Sequence, residues 1–199
     1  ALWFLYTHYP SVVITTAPTD RQVRGILWRY IRTTHSKSRV PLGGTALTQE
    51  LKLADDWWAM GFTAPEYDPD RFQGFHAEHV LVIVDEASGV GSQIYDAIDG
   101  ILSAGHCRLL LIGNPTDPVG RFAKDFTTPG VARVKISAFE TPHFTTFGIT
   151  EADIADGTWT EKLTGPLPYP TLVTPDWVAE RYARWRQESR MYLSRVRGE

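Results

Sequence analysis

Hydrophobic residues come in two rhythms along this 199-residue chain. Short, nearly unbroken apolar runs, "SVVITTAP" from Ser11, "VLVIV" from Val80 and "CRLLLIG" from Cys107, read as buried strands. Between them the apolar positions recur at helical spacing. In "DRQVRGILWRYIR" these are Val23, Ile26, Leu27, Tyr30 and Ile31, and in "SQIYDAIDGILSA" they are Ile94, Ile98, Ile101 and Leu102. Buried strands separated by amphipathic helices predict an α/β fold, a mainly parallel sheet flanked by helices.

The remaining segments fill in around that alternation. Residues 1–6 read as the end of a helix, and Thr19 or Asp20 caps the next one, which turns Arg21, Arg24, Arg29 and Arg32 away from the sheet. "TQELKLADDWWAMGFTA" predicts a hairpin, and "PEYDPDRFQGFHAEH" a loop. Residues 121–126 predict a short helix, and "VARVKISAF" alternates like a strand nearer the sheet edge. Residues 141–175, rich in Pro, Gly and Thr, read as irregular. A last helix starts at Thr174-Pro175-Asp176 and runs through "WVAERYARWRQESRMYLSRV". The expected organisation is a core over 1–140, followed by an irregular segment and helix over 141–199.

Composition narrows the function classes modestly. A formal charge of −3 gives no global basic field, so any nucleic-acid contact needs a local patch. The single cysteine, Cys107, excludes an internal disulfide and a cysteine-based zinc cluster, which suits a reducing compartment. No apolar run approaches the roughly 20 residues that span a bilayer, so no membrane role is expected. The chain opens without Met on the apolar "ALWFLYTHYP", which reads as a piece of something longer.

Ligands in open α/β sheets bind beyond the carboxyl ends of the strands, so polar residues there carry weight. In "VLVIVDEAS" the aliphatic run ends in Asp85-Glu86, the Walker B pattern, in which the Asp holds the water shell of Mg²⁺ and the Glu orients or deprotonates a water. Equally, two acids can merely end a strand and cap the next helix. In "LLLIGNPT" Asn114 stands at the corresponding place, either to hydrogen-bond a phosphate or water or as part of a Gly-Asn-Pro turn. In "VVITTAPTDRQ" Thr15, Thr16, Thr19, Arg21 and Arg24 are candidates for contact with a nucleic-acid backbone, against the reading of an ordinary capped helix with a solvated face. The glycine-rich phosphate loop G-x-x-x-x-G-K-[ST] that should accompany Walker B is absent from the 199 residues; it is expected just upstream of Ala1. His76-x-x-His79 lacks a third ligand nearby and reads as structural or surface, and Trp57-Trp58 as one residue packed in and one out. The arginines Arg181, Arg184, Arg186 and Arg190 read as a solvated face.

Taken together, "VVITTAPTDRQVRGILWRYIR", "RFQGFHAEHVLVIVDEASGV", "LLLIGNPTDPVGRFAKDF" and "MYLSRVRGE" resemble the ATPase domain of tailed-bacteriophage terminase large subunits. That resemblance implies an N-terminally truncated, RecA-like P-loop NTPase core, with a nuclease domain beyond Glu199. It implies ATP and Mg²⁺ as cofactors, Asp85 as the metal-associated acid, Glu86 as catalytic base and Asn114 as a coupling residue. An arginine supplied to a neighbouring subunit is also implied; Arg71 is the candidate, with Arg21, Arg24 and Arg121 as alternatives. The implied partners are double-stranded DNA, a homo-oligomeric ring on a portal and a small terminase subunit, in the cytoplasm of an infected bacterial host. The fragment alone is expected to be inactive. Two other readings remain at this point: a helicase-like DNA-dependent ATPase, and a catalytically silent assembly or DNA-binding module.

Overall fold

The computed structural model describes residues 1–63, 75, 77–103 and 105–199. The chain divides into two compact units, Ala1–Gly113 with Val119–Phe122, and Asn114–Pro118 with Ala123–Glu199.

In the first unit α1 (Leu2–Thr7) leads into β1 (Ser11–Ala17), and a helical segment over Arg21–Leu27 continues as α2 (Trp28–Ser36). Then come β2 (Thr45–Ala46), β3 (Glu50–Ala54), β4 (Trp57–Thr63), β5 (His79–Val84), α3 (Ser92–Ile101) and β6 (His106–Leu111). Among the described residues six strands form one sheet in the order β2-β3-β4-β1-β5-β6. β1 pairs in parallel with β4 and β5, and β5 with β6, while β2-β3 and β3-β4 are antiparallel. The expected parallel sheet and hairpin are therefore both present, the hairpin adding β3 and β2 to one side.

β1 sits at the centre and every one of its residues is buried. On one face Val13, Ala17, Leu81 and Ile83 share a core with Phe4, Leu5, Val23, Trp28 and Ile31. On the other, Val12, Ile14, Val80, Val82 and Val84 are buried, as are Ile94, Ile98 and Ile101 of α3. Each such side chain contributes roughly 1.5–3 kcal/mol when it leaves water, which is why an unbroken aliphatic run marks a strand covered on both sides. β6 departs from that expectation. It is the last strand in the order, and Arg108, Leu110 and Ile112 are exposed because none of the described residues covers that face at the sheet's end.

The helix after β1 also differs from its predicted face. Val23 and Ile31 are buried, but Ile26 and Tyr30 are exposed and Trp28 is fully buried. The cause is its first turns: Arg21–Leu27 is π-helical, and the Trp28 amide donates to the Val23 carbonyl, five residues back. The wider turn shifts the phase, so the buried stripe steps from Val23 to Trp28 and then to Ile31.

In the second unit α4 (Arg121–Asp125) begins in the stretch that belongs to the first and is followed by α5 (Pro142–Thr145), α6 (Glu151–Asp156), α7 (Trp159–Lys162), α8 (Pro175–Trp185) and α9 (Arg190–Tyr192). Its core joins Ala138, Phe144, Ile149, Ile154, Val178, Tyr192 and Val196. Three expectations are corrected here. Residues 131–137 alternate but form no strand: they pair with none among the described residues, and an extended backbone needs a ladder partner. Residues 141–175 are not simply irregular. Pro142 stands in the first turn of α5, a Thr150/Asp153 capping box starts α6, and Lys162 pairs with Asp153 at 2.7 Å. The last helix is broken: α8 starts as expected, with Thr174 accepting from the Trp177 amide and Pro175 in the first turn, but Arg186 at φ +62° ends it before Ser189 caps α9. Its Arg181 is not free on a solvated face but lies over the Trp177 and Trp185 rings, 5.2 and 5.3 Å from their centroids.

Candidate active site at the carboxyl edge of the sheet

Asp85 and Glu86 leave β5 at the carboxyl edge of the parallel strands. The ladder holds them to the last residue: the Asp85 amide donates to the Thr16 carbonyl of β1, and the Ile112 amide to the Val84 carbonyl, both at 2.9 Å. One Asp85 oxygen accepts the Glu86 amide at 3.0 Å, so the bland role, closing the turn, is met by this side chain. Glu86 is different. It is exposed and left-handed, at φ +50° and ψ +45°, a conformation that costs an L-residue roughly 1–2 kcal/mol. The turn is held by the Ala87 amide on the Ile112 carbonyl at 2.9 Å and the Gly89 amide on the Glu86 carbonyl at 2.8 Å. Backbone strain of this kind gathers where a side chain must be aimed.

Two glycines let the backbones close around this turn. A Cβ on Gly113 would come to 3.0 Å from the Ala87 nitrogen, and one on Gly89 to 3.0 Å from Cγ of Pro18. Neither glycine carried a signal of its own in the sequence beyond standing next to a strand end.

The neighbouring strand end, that of β1, is closed. Thr15 is fully buried; its hydroxyl accepts the Trp28 indole N–H at 2.8 Å and donates to the Met60 carbonyl at 3.3 Å. Gly61 makes the space, since a Cβ there would lie 2.0 Å from the Trp28 Nε1. Thr16 is fully buried as well, and its hydroxyl has no hydrogen-bond partner among the described residues. Thr15 and Thr16 therefore expose nothing to a nucleic-acid backbone, which corrects the reading of them as direct contacts. The missed signal was a glycine inside the strand pattern "WWAMGFT", the usual mark of a close approach.

Thr19, Arg21 and Arg24 are exposed, and the Thr19 hydroxyl accepts the Gln22 amide at 3.3 Å as a cap. Arg121 forks onto Asp99 at 2.8 and 3.2 Å and lies 5.7 Å from the Tyr95 ring centre. Asn114 belongs to the second unit. Arg71 and His76 lie outside the described residues. A cleft of about 870 Å³ opens beside Asp20, Arg32, Gln49, Glu50, Phe62 and Thr63; neither acid of the β5 end lines it. Among the described residues no helix is long and apolar enough to cross a membrane.

No family model matches the chain. Over 53 residues, 27% of this chain and 11% of the relative, it is 47% identical to a probable terminase large subunit of Enterobacteria phage P7. Two solved structures of the large terminase from a thermophilic bacteriophage align with all of this chain. One, in complex with ADP, has a TM-score of 0.50 at 14% identity, and a second crystal form has 0.54 at 13%. The chain spans 42% and 43% of the chain in those two structures, under half of that protein. The resemblance read from the residues is thus met twice: the chain has the fold of phage large terminases throughout, and a stretch of it is close in sequence to a probable terminase large subunit.

Proposed function

We propose that the chain is part of the ATPase motor of a phage terminase, which hydrolyses ATP to translocate double-stranded DNA. One observation carries the reading: an exposed, left-handed glutamate directly follows an aspartate at the carboxyl end of a buried parallel strand. The thermophilic phage terminase of the same fold was solved with ADP, which supports a nucleotide as ligand here.

In this reading Glu86 aligns and deprotonates the attacking water, since its carboxylate stands clear of the sheet. Asp85 binds the water shell of Mg²⁺; a carboxylate turned back on its own strand end, with one oxygen engaged by an amide, fits a hard cation that keeps most of its waters. The metal supplies charge neutralisation on the phosphates. Asn114 reports hydrolysis to neighbouring elements, and Arg71 reaches the nucleotide of an adjacent subunit in a ring. Thr19, Arg21 and Arg24 remain the exposed DNA-coupling candidates. The ring sits on a portal with a small terminase subunit, in the cytoplasm of an infected host.

The 199 residues contain no G-x-x-x-x-G-K-[ST], so the chain alone is expected to show no turnover above background. In a longer protein that joins such a loop to these residues, Glu86→Gln should lower kcat by about 10²–10⁴-fold with nucleotide binding retained. Steady-state ATPase and nucleotide-binding assays on both proteins check this. Turnover by the 199-residue chain that Glu86→Gln abolishes, or a Glu86→Gln motor that still hydrolyses ATP normally, would overturn the assignment.

A further inference from the structure

A left-handed glutamate persists only where its surroundings over-determine the backbone. At Glu86 that constraint falls on the next residue. Ala87 is buried, and both of its polar backbone groups are held from outside the turn. Its amide donates to the Ile112 carbonyl at 2.9 Å, and its carbonyl accepts the hydroxyl of Tyr95 at 2.6 Å. The Val90 amide reaches the same carbonyl at 3.3 Å, closing the 3₁₀ turn over Ala87–Gly89. We propose that Tyr95 is a positioning residue of the site: its hydroxyl pins the Ala87 carbonyl and so keeps Glu86 left-handed and aimed at the attacking water. This rests on the reading of Glu86 as the base.

The tyrosine is itself fixed. It lies early in α3 and is 2% exposed. One helical turn further on, Asp99 stands on the same face and accepts the fork from Arg121 at 2.8 and 3.2 Å. The guanidinium carbon lies 5.7 Å from the centre of the Tyr95 ring. A two-point fork fixes the plane of the cation as a single ammonium charge would not. Carboxylate, cation and ring thus form a brace behind the hydroxyl, and the hydroxyl bears on the residue that follows Glu86. With the Ala87 carbonyl released, the turn is free to relax and residue 86 to leave its strained conformation.

The competing account is that this hydrogen bond merely satisfies a buried phenol. A bond of that kind would move stability and leave the chemistry of the folded motor alone. Steady-state kinetics of the longer protein that joins a phosphate loop to these residues separate the two. Tyr95→Phe keeps the ring and removes only the O–H. It should lower kcat by about tenfold or more, since a misplacement of about 1 Å at a reacting group can cost about 10²-fold, with KM and nucleotide affinity kept within about twofold. In a Glu86→Gln background the same change should have no further effect, because Tyr95 acts only through that carboxylate. Should Tyr95→Phe not fold, Asp99→Asn carries the test from the half-exposed end of the brace, with kcat lowered about threefold at unchanged KM.

An unchanged kcat beside a lowered denaturation midpoint, a rise in KM in place of a loss in kcat, or a full further loss in the Glu86→Gln background would overturn the proposal. The two assignments fail differently. A Glu86→Gln motor that hydrolyses ATP normally removes the base and this role with it, whereas an inactive Glu86→Gln motor beside a fully active Tyr95→Phe motor removes this role alone.

Discussion

β1 and β5 lie side by side in register, and their carboxyl ends look alike on paper, each an aliphatic run that stops at polar residues. In the fold they are opposites. The end of β1 is shut: Thr15 is spent on Trp28 and Met60, and Gly61 leaves room for the indole. The end of β5 is open, with Glu86 exposed in a left-handed turn. The lesson is that a polar residue beyond a buried strand becomes a candidate for chemistry only where no neighbouring helix packs over it. A helix covers Thr15, whereas the chain past Val84 turns sharply and leaves Glu86 uncovered.

The sharpest way to break this contrast is to force the closed end open. In Gly61→Ala the new Cβ would sit 2.0 Å from Trp28 Nε1 and 2.9 Å from Thr15 Oγ1, and Trp28 is fully buried with nowhere to move. Expelling or tilting it should cost about 3–5 kcal/mol, the range for losing a large aromatic from a core. Chemical denaturation with Trp fluorescence would show it. A loss below about 1 kcal/mol would mean that the indole is not locked.

Thr15→Val is the milder probe. The volume is kept, but the buried Trp28 N–H loses its acceptor and the Met60 carbonyl its donor. An unsatisfied buried group costs about 1–3 kcal/mol, and the midpoint of denaturation should fall accordingly. Were Thr15 a nucleic-acid contact instead, the same change would leave stability alone and weaken DNA binding.

Much of this was legible in the residues, and the failures share a cause. Strands β1 and β5, the hairpin, α3 and the acidic pair follow from periodicity, because each is decided by burial on known sides. Trp28 was misplaced because a π-turn shifts the helical phase, and nothing local in "RQVRGILW" announces a five-residue step. Residues 131–137 alternate correctly and still form no strand, since alternation records a wish for a face and not the presence of a partner. The short helix α6 was visible after all: Thr150-x-x-Asp153 is a capping signature that the Pro, Gly and Thr content masked. For the site, the acids could be found but the closure of Thr15 could not, because it depends on Gly61, 46 residues away along the chain.

The smallest expected effect tests the open end itself. At φ +50° and ψ +45° Glu86 carries a side chain where glycine is at ease, a cost of roughly 1–2 kcal/mol. Glu86→Gly removes that cost but gives the unfolded chain extra freedom, which takes back about 0.5–1 kcal/mol. The carboxylate has no hydrogen bond or ion pair among the described residues, so nothing else is lost on truncation. The balance is a small gain in stability, up to about 1.5 kcal/mol, read as a rise in denaturation midpoint at unchanged slope. A residue kept in place for packing would do the reverse, because its removal would destabilise the fold. A gain here, set against the losses at Gly61 and Thr15, would mean that the β5 end holds its glutamate at the expense of stability, as expected of a side chain retained for what it does to a ligand.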